Sequence, residues 1–194
     1  MAMKANDPAA GLDRVAGHIR AILREIGEDP GRPGIEKTPR RYAKALRELT
    51  CGYATDLDVL FNGAMFPVSY HEMVLVKDIP WYSLCMHHLL PFFGKAHVAY
   101  VPDGRIVGLS KIPKLVETFS RRLQVQERMT CQIAQALAER LSPLGVGVVL
   151  EARHMCMEMR GARSVMTPTV TSAMLGCFRK DPRTREEFLS LVRG

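Results

Sequence analysis

The sequence lacks long apolar runs, internal repeats and low-complexity tracts. None of its apolar stretches approaches the roughly 18 to 20 residues that a helix needs to cross a bilayer, so we expect a soluble chain with no membrane partner. No apolar leader follows Met1, and the five cysteines are an odd number. Both features argue against a secreted disulfide framework and predict reduced thiols in the cytoplasm. Thiols in that state are available for metal binding or catalysis.

Acidic residues are fewer than basic ones. The chain has 27 Lys and Arg against 20 Asp and Glu, a formal net charge of +7. This excess indicates an anionic partner, which could be nucleic acid, acidic lipid or a phosphorylated metabolite, and charge alone does not choose among them. The 194 residues are 47% hydrophobic, which is enough for the core of one domain and argues against disorder.

The spacing of apolar residues predicts an α+β arrangement rather than a regular βαβ repeat. Spacings of three and four predict helices over residues 12–26, 38–52, 110–141 (two helices) and 184–192. Alternating or β-branched residues predict strands over residues 73–79, 96–101 and 145–157. We expect Gly27 to end the first helix, and Thr38 to cap the second helix with Pro39 at its first position.

A Cys-x-x-His motif and a distant His-x-Cys motif give the strongest functional signal. Two residues separate Cys85 from His88, so both side chains can turn toward one ion, and thiolate with imidazole suits zinc. With Cys156 as third ligand, strand alternation would place His154 on the metal side of the sheet. His87 would point elsewhere and be free to carry protons. A fourth position would then remain for water, whose pKa zinc lowers to about 7.

Spacing leaves two alternatives open. The cysteines can be small buried residues whose neighbouring histidines form core hydrogen bonds. Alternatively, His87 or His154 completes a closed zinc site, which would make the chain a structural-zinc binding module rather than an enzyme. The other cysteines lie in apolar or helical contexts and receive no role: Cys51, Cys131 and Cys177.

Basic residues gather in two segments near these motifs. Ser110, Lys111 and Lys114 fall at a predicted helix N-terminus, where backbone N–H groups and ammonium groups suit phosphate oxygens. Arg160 and Arg163 follow the His-x-Cys motif and add planar guanidinium groups. Each segment alone is typical of a solvated basic face. Together they flank a metal motif and suggest a polyanionic small molecule rather than nucleic acid.

A Gln-Glu pair at a predicted helix start is the third cluster. The Glu127 carboxylate can accept two parallel hydrogen bonds from the ring N–H and amino group of a guanine, helped by the Gln126 amide. Alone, this segment is typical of an ordinary helix start with charges in water. Its significance comes from the two clusters that accompany it.

Taken together, these motifs closely resemble the GTP cyclohydrolase I family. The matching segments are Ser83–His88, Gly94–Pro102, Gly108–Ile112, Gln124–Arg128, His154–Cys156 and Met159–Gly161. The resemblance implies an α+β tunnelling fold, in which an antiparallel sheet backed by helices forms a barrel with neighbouring subunits. It implies a homodecamer with sites at subunit interfaces. It also implies a single domain over residues 1–194, with an N-terminal helical segment over about 1–55 and a catalytic core over about 56–194.

The resemblance also assigns roles to individual residues. Zinc would be held by Cys85, His88 and Cys156, while His87 and His154 would transfer protons. Gln126 and Glu127 would hold the guanine edge. The triphosphate would be held by Ser110, Lys111, Lys114, Arg160 and Arg41. The implied reaction converts GTP to 7,8-dihydroneopterin triphosphate and formate, the first step of tetrahydrofolate or pterin biosynthesis. The alternative is an impaired or repurposed purine- or pterin-binding protein of the same fold.

Two positions depart from the family pattern. Lys114 replaces the usual arginine, which keeps the charge but loses bidentate geometry. Met86 replaces the usual glutamate between the zinc cysteine and the two histidines, which removes an anion beside the metal. We predict that Met86 faces a subunit interface, fills apolar space there and leaves the chemistry unchanged.

Overall fold

A computed structural model describes residues 8–194 of the chain. Its helices are α1 Pro8–Glu25, α2 Thr38–Leu49, α3 Leu57–Phe61, α4 Lys111–Ser120, α5 Gln126–Leu141, α6 Met155–Glu158, α7 Cys177–Lys180 and α8 Pro182–Arg193. Its strands are β1 Met65–Pro67, β2 Val74–Cys85, β3 Pro91–Val101, β4 Arg105–Val107, β5 Leu123–Gln124, β6 Gly145–His154 and β7 Thr169–Gly176. None of the helices in this part of the chain is long and apolar enough to cross a membrane.

The chain forms two compact units, and the first, Met1–Thr50, contains α1 and α2. Gly27 follows α1 with φ +84°, a left-handed conformation that glycine adopts without strain, so the predicted stop is confirmed. The predicted cap of α2 was wrong. Lys37 is the N-cap residue, without a side-chain hydrogen bond, and Thr38 is already helical. The reason is that proline is tolerated throughout the first turn, so Pro39 does not fix where the helix begins.

The second unit, Cys51–Gly194, is built around a five-stranded sheet. The strand order is β5-β2-β3-β6-β7, antiparallel throughout except for a short parallel pairing of β5 with β2. The α+β prediction is therefore confirmed, with a mixed sheet in place of a purely antiparallel one. A separate two-stranded ribbon pairs β1 with β4. The short strands escaped prediction because two or three residues carry no detectable alternation.

Helices cover both faces of the main sheet. The larger core lies between one face and the helices α4 and α5, and includes the fully buried Leu115, Ile133 and Val148. A smaller cluster on the other face contains Phe178 of α7 and Phe188 of α8. A Cβ at position 147 of β6 would lie 2.8 Å from the Phe178 ring and 3.0 Å from the Phe188 ring, so any residue but glycine would force the Phe178 ring to move.

The sixth strand is shorter than the sequence predicts, and this matters for the site. We expected a strand over residues 145–157, but β6 ends at His154 and the helical turn α6 follows. The last rung of the β3–β6 ladder pairs Phe92 with His154. Beyond it the backbone has no strand partner in the ladder and bonds within a helical turn instead. Cys156 therefore reaches the site from a helix, and strand alternation was the wrong argument for placing His154 relative to it.

Candidate active site

A tight turn at the end of β2 brings the first two predicted ligands together. The backbone N–H of Cys85 donates to Leu90 O at 2.9 Å, and the N–H of Leu89 donates to Cys85 O at 2.8 Å. Leu89 has φ +56°, so the chain reverses sharply at this point. As a result, Cys85 Sγ lies 3.7 Å from Nδ1 of His88. The Cys-x-x-His spacing thus folds as expected, with Cys85 buried and His88 exposed.

The third predicted ligand meets them from α6. The ligand atoms of Cys85, His88 and Cys156 all lie within 4.8 Å of one another. Tetrahedral zinc with bonds of about 2.3 Å to sulfur and about 2.0 Å to nitrogen requires ligand separations of roughly 3.5 to 3.8 Å, close to the geometry at Cys85 and His88. Two thiolates and one imidazole are also the donor types that zinc prefers. The side chains fit a zinc ion, and three protein ligands leave one coordination position open.

The protonation of the cysteines responds to their surroundings. Burial raises the pKa of the Cys156 thiol, and the adjacent Cys85 sulfur raises it further, while the positive charge of Arg160 lowers it. Without a metal Cys156 therefore retains its proton more readily than a free thiol does. Because only the thiolate binds zinc, metal binding must displace this proton. Arg160 lies beside the same cluster, with its Nη1 3.4 Å from Nε2 of His88.

His154, the second histidine of the predicted pair, is held firmly next to the cluster. Its Nε2 lies 2.8 Å from Oε1 of Gln126, and its ring stacks on Phe92 with centroids 4.8 Å apart. Burial lowers the pKa of His154, and the nearby carboxylates of Glu127 and Glu158 oppose that change. His154 thus lies two residues before Cys156 with its ring held by Gln126 and Phe92, and its role in proton transfer stays a prediction.

The Gln-Glu pair begins α5, but its two side chains differ in environment. Gln126 is buried, and its Nε2 donates to Leu150 O and Thr169 O. Glu127 is exposed in the first turn and is close enough to act on the charge of His154. The guanine contact of Glu127 stays a prediction that this exposure permits. The guanine contact of Gln126 also stays a prediction, although its amide is already engaged within the chain.

The remaining residues of the turn point toward solvent. His87 is exposed, and its ring lies edge-on to His88 with centroids 6.3 Å apart. Met86 is 42% exposed, while its backbone N–H donates to Gln124 O at 3.0 Å. An exposed thioether agrees with a position in a subunit interface and equally with one that faces the metal site, so the predicted place of Met86 in an interface remains a prediction. The proton-transfer role of His87 is likewise untested.

The predicted phosphate segment forms a helix N-terminus, as expected. Ser110 is the N-cap residue of α4, and Lys111 and Lys114 follow in its first turns. Ser110 and Lys114 are exposed, and the Ser110 hydroxyl makes no capping bond, so it is free to meet a ligand. The N–H of Lys111 donates to Gly108 O at 2.8 Å, which leaves fewer amides for an anion. Arg41 lies in α2, in the other compact unit, and its phosphate contact stays a prediction.

Two supporting contacts escaped sequence reasoning. Phe92 stacks on His154 because the two residues face each other across β3 and β6, a register that the sequence does not reveal. Arg153 Nε donates to Glu158 Oε1 at 2.9 Å and so ties α6, with Cys156, to the end of β6. A strand-to-helix pair of this kind follows no regular spacing, so no sequence signal could have identified it.

The fold and site define an α+β protein with an open Cys-His-Cys group suited to catalytic zinc. The profile of the GTP cyclohydrolase I family matches residues 15–193. A protein named GTP cyclohydrolase 1 from Synechococcus sp. (strain JA-2-3B'a(2-13)) is 57% identical over 188 residues, 97% of this chain and 80% of the relative. Another of that name, from Leptospira biflexa serovar Patoc, is 58% identical over 175 residues, 90% of this chain and 96% of the relative. The chain therefore belongs to the GTP cyclohydrolase I family.

Among solved structures, an archaeosine synthase QueF-like protein in its apo form aligns with a TM-score of 0.44. Its sequence is 17% identical, and the alignment covers 54% of this chain and 93% of that one. A likeness this distant carries no argument about the fold or the function.

Proposed function

We propose that this chain is a zinc-dependent enzyme that hydrolyses and rearranges GTP to 7,8-dihydroneopterin triphosphate and formate. The observation that carries the proposal is the convergence of Cys85, His88 and Cys156, whose ligand atoms lie within 4.8 Å of one another. His154 stands beside this group in a fixed orientation. A family profile that covers residues 15–193 supplies the reaction class. The product would enter tetrahydrofolate or pterin biosynthesis.

In this mechanism Cys85, His88 and Cys156 would hold zinc. Bound zinc supplies a Lewis acid that lowers the pKa of water to about 7. The chain's own side chains orient the purine and move protons during ring opening and loss of formate. His154 is held in place beside the metal ligands, while exposed His87 can exchange protons with solvent.

Substrate recognition in this proposal divides between the base and the phosphates. Glu127 accepts two hydrogen bonds from guanine, a pattern that adenine does not offer. Its exposure and its influence on the charge of His154 support a position close to the reacting base. The triphosphate would be held by Ser110, Lys111, Lys114, Arg160 and Arg41. Arg160 lies beside His88, so a phosphate bound by Arg160 would stand close to the metal site.

The proposal includes assembly into a homodecamer of the tunnelling fold, with subunit sheets joined in a barrel and sites completed between subunits. The sheet supports this because β7 is an outer strand, paired only with β6 among the described residues. A free edge of this kind can pair with another chain. Light scattering on the purified protein tests the assembly, and a monomer at assay concentration would contradict it.

Incubation of the zinc-loaded protein with GTP tests the activity, with release of formate and formation of a fluorescent oxidised pterin as readouts. We expect both products from the natural chain and neither from Cys85→Ala or Cys156→Ala. Cys131→Ala is the matched control, because Cys131 is an exposed cysteine on α5 outside the metal group. Absence of formate from the zinc-loaded natural chain would refute the proposed function.

A further inference from the structure

The side chain of Gln126 makes three hydrogen bonds that join separate parts of the sheet. Gln126 is only 1% exposed. Its Nε2 donates to Leu150 O of β6 at 3.0 Å and to Thr169 O of β7 at 2.9 Å. Its Oε1 lies 2.8 Å from Nε2 of His154. Both the amide nitrogen and the amide oxygen are thus engaged within the chain.

These contacts determine which way the amide is oriented. Backbone carbonyls only accept hydrogen bonds, so the NH₂ group of Gln126 must face Leu150 and Thr169. A flipped amide would place its oxygen against two other oxygens in a buried setting, which is unfavourable. The Gln126 oxygen must therefore face His154. Because this oxygen can only accept, Nε2 of His154 carries the proton, and Nδ1 of the neutral ring holds the lone pair.

Other contacts hold both partners in place. The ring of His154 lies 16° from parallel to Phe92, which limits rotation of the imidazole. Gln126 is the first residue of α5, and the hydroxyl of Thr130 donates to its backbone oxygen at 2.7 Å. The helix that carries Gln126 and the strand that carries His154 are both packed in the core, so the two side chains keep their relative positions.

We propose that Gln126 is a positioning residue that holds the His154 ring in one orientation and in the Nε2–H tautomer, with Nε2 donating to the Gln126 amide oxygen. The proposal rests on the proposed function for the catalytic role of His154. It differs from the guanine contact expected of Gln126, because both N–H donors of the amide are used within the chain and only a second hydrogen bond to Oε1 remains available to a guanine.

Solid-state NMR of the zinc-loaded full chain labelled with ¹⁵N-histidine tests the tautomer directly. The signals of His154 are identified by their absence from the spectrum of His154→Asn. We expect Nε2 to be protonated and Nδ1 to be unprotonated in the neutral ring. A dominant Nδ1–H form, or a mixture of the two tautomers, would overturn the proposal. This readout does not depend on turnover. If the spectrum is as expected but GTP is not converted, the proposed function fails while the tautomer assignment stands.

Gln126→Leu tests the consequence for catalysis, with Gln135→Leu as control because Gln135 is exposed on the same helix. A positioned proton-transfer group typically contributes about 100- to 10,000-fold, and loss of its orienting partner should forfeit part of this, about 10- to 100-fold. We expect a fall of this size in kcat, less than about a twofold change in KM for GTP, and a mixed tautomer for His154. Unchanged kcat, or a raised KM with kcat preserved, would instead favour a guanine contact and refute the positioning role. If Gln126→Leu does not fold, the spectrum of the natural chain decides alone.

Discussion

Removal of zinc should leave this chain folded but less stable. The three ligands lie at the end of β2, in the following turn and in α6. Cys85 belongs to the core that joins the sheet to α4 and α5 and Cys156 packs against it, but most of that core is formed by residues that are not ligands. Leu115, Ile133 and Val148 of this core are fully buried and do not depend on the metal. An open catalytic site of this kind need not hold the fold together, unlike the closed site of a structural-zinc module.

The expected loss of stability follows from binding linkage. A metal that binds only the folded chain adds about 2.7 kcal/mol when its free concentration is 100 times Kd. For domains of this size, 1 kcal/mol shifts Tm by roughly 2 to 4 °C, so chelation should lower Tm by about 5 to 10 °C. Protein concentration must stay fixed in this comparison, because assembly also affects Tm.

Circular dichroism before and after chelation is the measurement. We expect the far-ultraviolet spectrum to persist, Tm to fall by the amount above, and activity to return when zinc is restored. Cys85→Ala should already have the lower Tm and should not respond to chelation, whereas Cys131→Ala should behave like the natural chain. Loss of the folded spectrum on chelation at room temperature would refute the open-site reasoning and favour the structural-zinc alternative.

Three further predictions concern recognition of the guanine base, stability at acid pH and the methionine that replaces the usual glutamate of the family at position 86. Glu127→Gln should greatly reduce GTP turnover, because an amide presents a donor to a guanine donor; equal turnover of ATP and GTP would remove Glu127 from this role. Burial lowers the pKa of His97 in the folded chain below its value in the unfolded chain. As pH drops below about 6.5, the unfolded chain therefore binds a proton at His97 more readily than the folded chain, and the free energy of unfolding should fall. Urea titrations should show a weaker acid dependence for His97→Asn, and an unchanged dependence would contradict this. Met86→Glu should leave the pH–rate profile nearly unchanged, whereas a several-fold gain in turnover would mark the natural chain as an impaired family member.

Much of the fold could be predicted from local pattern. The long helices α1, α4, α5 and α8 follow apolar spacings, and the central part of each long strand follows alternation or β-branched residues. The residues at which helices and strands end were less predictable. We expected the strand before Cys156 to continue past it, yet β6 ends where its ladder with β3 ends. Whether backbone remains extended depends on a partner strand, and this partner is distant in sequence.

The sequence by itself determined the chemistry of the site: two cysteines and a histidine with zinc-ligand spacing, a histidine near them, and a Gln-Glu pair at a helix start. These properties reside in residue types and short spacings, which are local. Only the tertiary structure decided that Cys156 arrives on α6, that Phe92 stacks on His154 and that Gln126 meets His154 rather than solvent. These contacts join residues from different strands and helices, so they depend on sheet register and on helix placement, which are set by packing across the whole core.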